Sequence, residues 1–187
     1  MAKLYFYYGC MGSSKTAQAL MTEYNYREIG KRALLAKTDT DTRDGHFEIR
    51  SRIGLYEQCF LLSEVAKMSD GQLEDYDAII VDEIQFASPE QIDFLADVVD
   101  RLDIPVLCYG LKTDFRGELF PGSRRLLEIS DKQVEVKTIC WCGRKALFNA
   151  RYNENGIVRI GKQVELGAND KYVALCRKHF NEGKLKP

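Results

Sequence analysis

Residue types that bind phosphate are concentrated in a short stretch near the N-terminus. The segment Gly-Cys-Met-Gly-Ser-Ser-Lys-Thr runs from Gly9 to Thr16 and follows an aromatic and apolar run, residues 3–8, that predicts a buried strand. Successive backbone N–H groups in such a loop bind phosphate oxygens, and the N-terminus of the following helix adds the positive end of its dipole. Lys15 would reach the outer phosphates, and the Thr16 hydroxyl would bind Mg²⁺. The stretch therefore predicts a nucleotide phosphate site.

The loop departs from the usual phosphate-loop pattern at one position. Ser14 stands where the pattern G-x-x-x-x-G-K-[ST] has its second glycine. Glycine matters there because the backbone approaches phosphate closely and can need a positive φ. Gly12, two residues earlier, is expected to supply some of that freedom. The alternative is an ordinary strand, turn and helix with a chance Lys-Thr pair.

Two adjacent carboxylates follow the most apolar strand of the chain. Residues 77–83 form an apolar run that ends in Asp82 and Glu83, which is typical of a central parallel strand buried on both faces. Asp82 would hold Mg²⁺ through water, opposite Thr16. Glu83 could orient an attacking water, as in an ATPase, or accept a proton from a substrate hydroxyl, as in a kinase. The structural alternative for Glu83 is a solvent-facing acid at a strand end.

Four soft or borderline metal ligands occur as two close pairs in the last third of the chain. Cys140 and Cys142 form the first pair, and Cys176 and His179 form the second. Three cysteines and one histidine fit a closed tetrahedral zinc site, which is structural because no coordination position stays open. The C-x-C spacing is tighter than the usual C-x₂-C, so free cysteines with a surface histidine remain the alternative.

Alternating strands and helices are expected to position these candidate residues. Strand-like runs alternate with amphipathic segments, and the clearest helix start is a capping box at Ser88-Pro89-Glu90-Gln91. The pattern predicts an α/β fold with a P-loop NTPase-like parallel sheet and helices on both faces. A small C-terminal zinc-binding domain with a lid loop is expected to follow. We expect two domains, residues 1–137 and residues 138–187.

The connecting segments carry further candidates. The charged segment 37–54 is either a solvated surface loop or a phosphate or substrate loop, with its candidates at Arg43, Ser51 and Arg52. Phe115 and Phe120 lie on a loop after a strand, where they would stack on a planar ligand or cap the core.

The C-terminal third is expected to fold around a hairpin. Its arms are predicted at residues 146–152 and 157–161, and a Gly- and Asn-bearing segment, 163–172, could close over a ligand. A helix is predicted over residues 172–181.

Composition limits the classes of protein to consider. The 187 residues are 45% hydrophobic and 29% charged, which is typical of one globular domain, with or without a small appendage. The net charge of -1 gives no broad electrostatic footprint for nucleic acid. No apolar run is long enough to span a bilayer, and the N-terminus does not read as a signal peptide. We therefore expect a cytoplasmic protein whose six cysteines are metal ligands or core residues.

Taken together, the motifs resemble those of a known family. They are the phosphate loop, the segments Val-Asp-Glu-Ile-Gln-Phe at 81–86 and Cys-Tyr-Gly-Leu-Lys-Thr-Asp-Phe-Arg-Gly at 108–117, Thr-Ile-Cys-Trp-Cys-Gly-Arg-Lys-Ala at 138–146, and Tyr172 ahead of Cys-Arg-Lys-His at 176–179. Over almost its whole length the chain resembles the zinc-containing thymidine kinases of bacteria and of the animal cytosol. The resemblance implies transfer of the ATP γ-phosphoryl group to the 5′-hydroxyl of thymidine or deoxyuridine in nucleotide salvage. It also implies a homotetramer that binds neither nucleic acid nor membrane.

The resemblance also implies residue roles. Glu83 would be the general base, with Phe115 stacking on the thymine and the Tyr172 hydroxyl anchoring the sugar. ATP and Mg²⁺ would be bound by Gly9, Cys10, Met11, Gly12, Ser13, Ser14, Lys15, Thr16, Asp82, Glu83, Ile84 and Gln85. The nucleoside would be bound by Met11, Arg43, Leu111, Phe115, Phe120, Val164 and Tyr172. Structural Zn²⁺ would be bound by Cys140, Cys142, Cys176 and His179.

Two departures and two alternatives qualify the resemblance. Ser14 replaces a loop glycine, and Ala168 replaces the second glycine of a Gly-Gly pair common in the lid. One alternative is a P-loop ATPase whose zinc module binds a nucleic acid or a protein partner. Against it, the zinc module has no basic patch interleaved with aromatic residues beyond Arg177 and Lys178. The other alternative, motivated by Ser14, is a nucleotide-binding protein without catalysis.

Overall fold

The fold is built on a six-stranded sheet in which every pair of neighbours is parallel. The computed structural model describes residues 1–40, 45, 47–163 and 172–186. The sheet has the order β5-β2-β6-β7-β1-β8. Its strands are β1 (Leu4–Tyr8), β2 (Ala33–Lys37), β5 (Phe60–Leu61), β6 (Ala78–Asp82), β7 (Val106–Gly110) and β8 (Lys132–Glu135). The predicted parallel sheet is confirmed.

The described residues form six α-helices, of which the first five accompany the large sheet and the last packs against the C-terminal strands described below. They are α1 (Lys15–Glu28), α2 (Leu62–Val65), α3 (Asp70–Leu73), α4 (Pro89–Leu102), α5 (Pro121–Ile129) and α6 (Arg177–Glu182). The capping box predicted at the start of α4 forms: the Ser88 hydroxyl accepts from the Gln91 N–H, and the Gln91 side chain accepts from the Ser88 N–H. Within the described part of the chain, no helix is long and apolar enough to cross a membrane.

The two faces of the sheet bury separate hydrophobic clusters. One cluster joins α4 side chains such as Leu95 and Val98 to Phe6 and Ile79 of the sheet. The other joins Ala19 and Leu20 of α1 to residues on the opposite sheet face, among them Leu35 and Ile80. Because strand side chains alternate between faces, this arrangement confirms helices on both sides.

A second, three-stranded sheet follows the main one. It has the order β10-β9-β11 and is antiparallel, with β9 (Phe148–Asn153) between β10 (Gly156–Ile157) and β11 (Tyr172–Leu175). The predicted hairpin forms, although its second arm is only two residues long. A small buried cluster that includes Cys140, Ala150 and Phe180 packs beneath this sheet.

The charged segment 37–54 contains structure that its composition did not indicate. The strands β3 (Glu48–Arg50) and β4 (Tyr56–Gln58) pair as an antiparallel hairpin. Lys37 is 1% exposed, and its Nζ donates to the carbonyl oxygens of Gly45 and Glu48 at 2.5 and 2.9 Å. The interpretation of the whole segment as solvated is therefore wrong at these residues, because a buried ammonium is satisfied by backbone carbonyls instead of water.

The prediction of a helix over residues 172–181 is wrong for the first half of that range. Tyr172–Leu175 is strand β11, which pairs with β9 from Tyr172↔Arg151 to Leu175↔Phe148. Only α6 is helical, with Cys176 as its N-cap. Pairing with a distant strand overrides local helix propensity here, which no short window of sequence can detect.

Candidate active site and metal centre

The phosphate loop joins β1 to α1 at the carboxyl edge of the large sheet, the edge at which open parallel sheets bind ligands. Gly12 has φ 75°, and Ser14 has φ 62° and ψ 24°. The freedom expected from Gly12 alone is therefore not sufficient, because Ser14 itself adopts the left-handed conformation with its Cβ present. A non-glycine residue there costs roughly 1–2 kcal/mol. The Ser14 carbonyl still accepts the first helical hydrogen bond, from Gln18 N at 3.0 Å.

Lys15 is folded back onto the loop that precedes it. Its Nζ donates to the carbonyl oxygens of Gly9 and Cys10 at 3.0 and 2.9 Å and to Ser13 Oγ at 3.2 Å. Burial lowers the pKa of the Lys15 ammonium, and the charges of Glu83 and Asp82 oppose that shift. The lysine predicted to bind phosphate thus lies close enough to both predicted carboxylates for their charges to act on it.

Asp82 is buried beside the start of α1. It is 3% exposed, and the Thr16 hydroxyl donates a hydrogen bond to its carboxylate. Burial, together with the neighbouring Glu83 charge, raises the pKa of Asp82 to about 7, although the Thr16 contact opposes the shift. A carboxylate this costly to ionise would be stabilised by a cation. The expected juxtaposition of Thr16 and Asp82 is present.

Glu83 has a strained backbone that its neighbours hold in place. Its φ is 52°, and its carbonyl accepts from Thr38 Oγ1 at 3.2 Å. Gln85 Nε2 donates to Glu83 Oε2 at 2.5 Å, and Gln85 Oε1 accepts from Leu111 N at 3.0 Å. Any Cβ at Gly110 would lie 2.5 Å from Gln85 Oε1, so this approach requires glycine. The buried Gln85 amide therefore lies behind Glu83 and fixes the orientation of its carboxylate.

The two loop aromatics are buried. Phe115 is 1% exposed and Phe120 is 4% exposed. The Arg151 guanidinium carbon lies 3.9 Å from the centroid of the Phe115 ring, and Phe120 packs edge-on against Phe86 with centroids 5.7 Å apart. The half-buried Tyr172 is the strand partner of Arg151. The second sheet therefore brings Arg151 and Tyr172 toward the Phe115 loop.

Some predicted site residues lie outside the described part of the chain. They are Arg43 in the charged segment, and Val164 and Ala168 in the predicted lid. Ser51 is described and is not free for a ligand in this structure, because its Oγ accepts from Leu55 N at 3.0 Å within the β3–β4 turn. Arg52 is exposed in the same turn, and its charge contributes to lowering the pKa of Lys15.

The four predicted metal ligands converge. The ligand atoms of Cys140, Cys142, Cys176 and His179 all lie within 4.8 Å of one another. Cys140 Sγ is 3.4 Å from His179 Nδ1, and Cys142 Sγ is 3.9 Å from Cys176 Sγ. A tetrahedral zinc with Zn–S bonds of about 2.3 Å separates two sulfurs by about 3.8 Å. This donor set therefore fits zinc.

Local structure explains how the ligands converge despite the tight C-x-C spacing. A turn carries the first pair, closed by the bridge Ile139↔Lys145 and by a hydrogen bond from Gly143 N to Cys140 O at 2.9 Å. The second pair starts α6, where residues i and i+3 share a face. The Trp141 ring stacks on His179 with centroids 4.1 Å apart, which fixes the imidazole plane.

Sequence reasoning missed several residues that support the site. Thr38, which donates to the Glu83 carbonyl, lay in the charged segment 37–54, where the candidates were Arg43, Ser51 and Arg52. Arg151 and Asn149 lay in a hairpin arm that carried no motif. Asn149 Oδ1 accepts from the Met11 N–H of the phosphate loop at 2.7 Å. The sequence pattern of strand β9 gives no indication that Asn149 contacts a residue 138 positions away.

The arrangement defines a class of protein. A parallel sheet carries a phosphate loop, a buried carboxylate beside the loop threonine and a second, oriented carboxylate, and these are the parts of a phosphoryl-transfer nucleotide site. A three-cysteine, one-histidine centre accompanies it.

Comparison with known proteins identifies the family. The family model "Thymidine kinase" matches residues 2–180. The chain is 47% identical to a thymidine kinase of Legionella pneumophila (strain Paris), over 98% of this chain and 91% of the relative. It is 47% identical to that of Photobacterium profundum (97% and 98% covered) and 46% identical to that of Escherichia coli K12 (97% and 92% covered). The chain therefore belongs to the thymidine kinase family.

Proposed function

We propose that this enzyme transfers the γ-phosphoryl group of ATP to the 5′-hydroxyl of thymidine, and of deoxyuridine, to make the nucleoside monophosphate for nucleotide salvage. Membership of the thymidine kinase family supports the substrate class. The observation that carries the mechanism is the convergence of Lys15, Asp82 and Glu83, whose charges act on one another at the carboxyl edge of the sheet. Phosphoryl transfer needs a cation on the phosphates, a metal-holding carboxylate and a base.

The phosphate loop would bind ATP through its remaining backbone N–H groups and Lys15. In this structure the Lys15 ammonium donates to loop carbonyls at about the distances of ordinary hydrogen bonds. A triphosphate offers charged acceptors, which bind an ammonium more strongly than neutral carbonyls do. Lys15 would therefore leave the loop and follow the developing charge on the transferred group.

Asp82 and Thr16 would hold Mg²⁺. The Thr16 hydroxyl already donates to the Asp82 carboxylate, so both oxygens lie next to each other. Oxygen ligands of this type, with retained waters, are what Mg²⁺ prefers. The ion, when bound, would neutralise phosphate charge.

Glu83 would act as general base. Gln85 donates to one of its carboxylate oxygens and so orients the group that would accept the proton of the attacking 5′-hydroxyl. A base held by the protein deprotonates a positioned hydroxyl with little reorganisation. Ile84 and Gln85 would serve the site through this positioning.

The nucleoside would lie between the Phe115 loop and the second sheet. Leu111, Phe115 and Phe120 are on or beside that loop, and Tyr172 of β11 is the strand partner of Arg151, which contacts Phe115. The Arg151 guanidinium contacts the Phe115 ring, so base stacking on Phe115 would use the opposite face or displace Arg151. The proposed roles of Arg43, Val164 and Tyr172 rest on the family resemblance.

We further propose a structural Zn²⁺ at Cys140, Cys142, Cys176 and His179, and a domain boundary between residues 137 and 138. A small hydrophobic cluster supports the C-terminal module, and a core of this size usually needs a metal or a disulfide. The family resemblance supports a cytoplasmic homotetramer that binds neither nucleic acid nor membrane.

One assay tests the function. γ-Labelled ATP is incubated with the enzyme and Mg²⁺ in the presence of thymidine, deoxyuridine, deoxycytidine or no acceptor. We expect labelled monophosphate with thymidine and deoxyuridine and little loss of ATP without an acceptor. Acceptor-independent release of phosphate would instead favour the ATPase alternative, and no consumption of ATP at all would favour a non-catalytic nucleotide-binding protein.

A further inference from the structure

Asn149 connects the second sheet to the phosphate loop through its side-chain amide. It lies on β9 and is 3% exposed. Its Oδ1 accepts from the Met11 N–H at 2.7 Å, and its Nδ2 donates to the Thr113 carbonyl at 3.3 Å. The orientation of the amide follows from chemistry, because a backbone N–H can only donate and a carbonyl oxygen can only accept.

The two backbone groups belong to different halves of the proposed site. Met11 is in the phosphate loop, between β1 and α1. Thr113 lies two residues before Phe115, and its bridge to Leu119 closes the loop that carries that ring. One buried amide therefore spans the phosphate side and the nucleoside side.

The Met11 contact matters because the loop is strained. Ser14 has a positive φ, which a residue with a Cβ does not favour locally, so the loop needs contacts from the rest of the fold to stay in this conformation. The Met11 N–H is committed to Asn149, so it is not among the groups that face the phosphates. It acts as an anchor that fixes where the remaining N–H groups point.

The amide is itself held by the metal-binding module. β9 is the central strand of its sheet, and its neighbour β11 leads directly to Cys176. The Phe148 ring, next to Asn149 in sequence, stacks on Phe180 of α6 with centroids 4.3 Å apart. The position of the amide is therefore set by the packing of the C-terminal module.

We propose that Asn149 is a positioning residue that sets the separation between the phosphate loop and the Phe115 loop, through its acceptor on one and its donor on the other. The role deepens the proposed kinase function and rests on it. Proximity effects explain why the separation matters, since a displacement of about 1 Å can cost about a hundredfold in rate.

The two contacts can be separated by substitution. Asn149→Asp keeps an acceptor for the Met11 N–H but turns an oxygen toward the Thr113 carbonyl. We expect its KM for thymidine to rise about tenfold, because a half-buried carbonyl loses its donor. Its KM for ATP is expected to stay within about twofold of wild type. Asn149→Leu removes both contacts and is expected to lower kcat/KM about ten- to a hundredfold for both substrates.

Asn153 provides the matched control. It is exposed on the same strand, and its Oδ1 accepts a local turn hydrogen bond from Asn155 N at 2.9 Å. Asn153→Asp and Asn153→Leu should leave both KM values within about twofold. Melting curves of all four variants give the folded fraction, and equilibrium binding of a non-hydrolysable ATP analogue gives an affinity independent of turnover.

The outcomes separate the possibilities. A thymidine-selective rise in KM for Asn149→Asp, with weaker analogue binding for Asn149→Leu, supports the positioning role. Unchanged KM values and unchanged analogue binding overturn it, as do losses in both substrates that merely follow the folded fraction. If wild type fails to phosphorylate thymidine, the proposed function fails, and binding of the ATP analogue by Asn149→Leu still decides whether the amide positions the phosphate loop.

Discussion

The phosphate site and the metal centre both bring ionisable side chains together. They differ in how completely the protein alone, without a ligand, arranges and stabilises those side chains. In the metal centre, four ligand atoms already lie at distances that fit one tetrahedral ion. In the phosphate site, Lys15 donates to the carbonyls of its own loop, and burial raises the pKa of Asp82 to about 7. The comparison shows four ligand atoms already arranged for one ion, beside a site whose charges a bound anion and cation would stabilise further.

Glu83→Gln tests the catalytic side of this comparison and should have the largest effect. A glutamine cannot accept the hydroxyl proton, so kcat should fall by about 10²–10⁴-fold while ATP binding stays within a few-fold. Steady-state phosphorylation of thymidine and ATP titration measure the two quantities. Glu90→Gln, at an exposed acid of α4, is the control. Unchanged phosphorylation by Glu83→Gln would eliminate Glu83 as the base.

Lys15→Ala tests whether the loop acts on phosphate. Removing a cation that follows the transition-state charge should lower kcat/KM for ATP by about 10²–10³-fold. Lys31→Ala removes a solvent-exposed lysine that pairs with Asp77, and it should leave kcat/KM within twofold. A wild-type rate in the Lys15 variant would contradict the assignment of the phosphate loop.

The metal centre predicts one zinc per chain in protein purified fresh under reducing conditions. Cys142→Ser should lower that content and reduce the melting temperature, because the remaining ligands no longer close the site. Cys59→Ala, at a cysteine outside the cluster, should retain one zinc. Elemental analysis that finds no zinc in the wild-type protein would refute the three-cysteine, one-histidine centre.

Asp82→Asn tests the buried charge in the phosphate site. A folded-state pKa of about 7, against a usual value of 3.8, means that the ligand-free protein loses stability as pH rises from about 4 through 7. The asparagine variant lacks this loss, so its melting temperature relative to wild type should increase over the same range. Added Mg²⁺ and ATP should narrow the difference at pH 8. Parallel pH profiles for the two proteins would mean that Asp82 is not destabilised by burial.

Ser14→Gly should have the smallest effect. Glycine relieves the left-handed strain at this position but also increases the entropy of the unfolded chain, and the two effects oppose each other. We expect a net stabilisation of about 1 kcal/mol or less, measured by denaturant unfolding, and phosphorylation within about twofold of wild type. A loss of stability would show that the left-handed strain at Ser14 is smaller than the entropy that its Cβ removes from the unfolded chain.

The sequence predicted those features of the site that depend on short spacing. Lys15 and Thr16 follow a strand and start a helix, and Asp82 ends the most apolar strand, so parallel strands had to bring them to one edge. The capping box of α4 was equally local. The β3–β4 hairpin and strand β11 were not predicted, because their pairing partners, not their own propensities, decide their conformation.

The sequence by itself determined the chemistry available to this protein: a phosphate loop, two adjacent carboxylates and four soft or borderline metal ligands. Only the tertiary structure decided which of these groups meet and in what state. It buries Asp82, orients Glu83 through Gln85, and joins Asn149 to Met11 across 138 positions of the chain. The physical reason is the distance along the sequence over which each effect acts. Propensity and periodicity act over a few residues, whereas burial and hydrogen bonding depend on which distant residues the fold brings near.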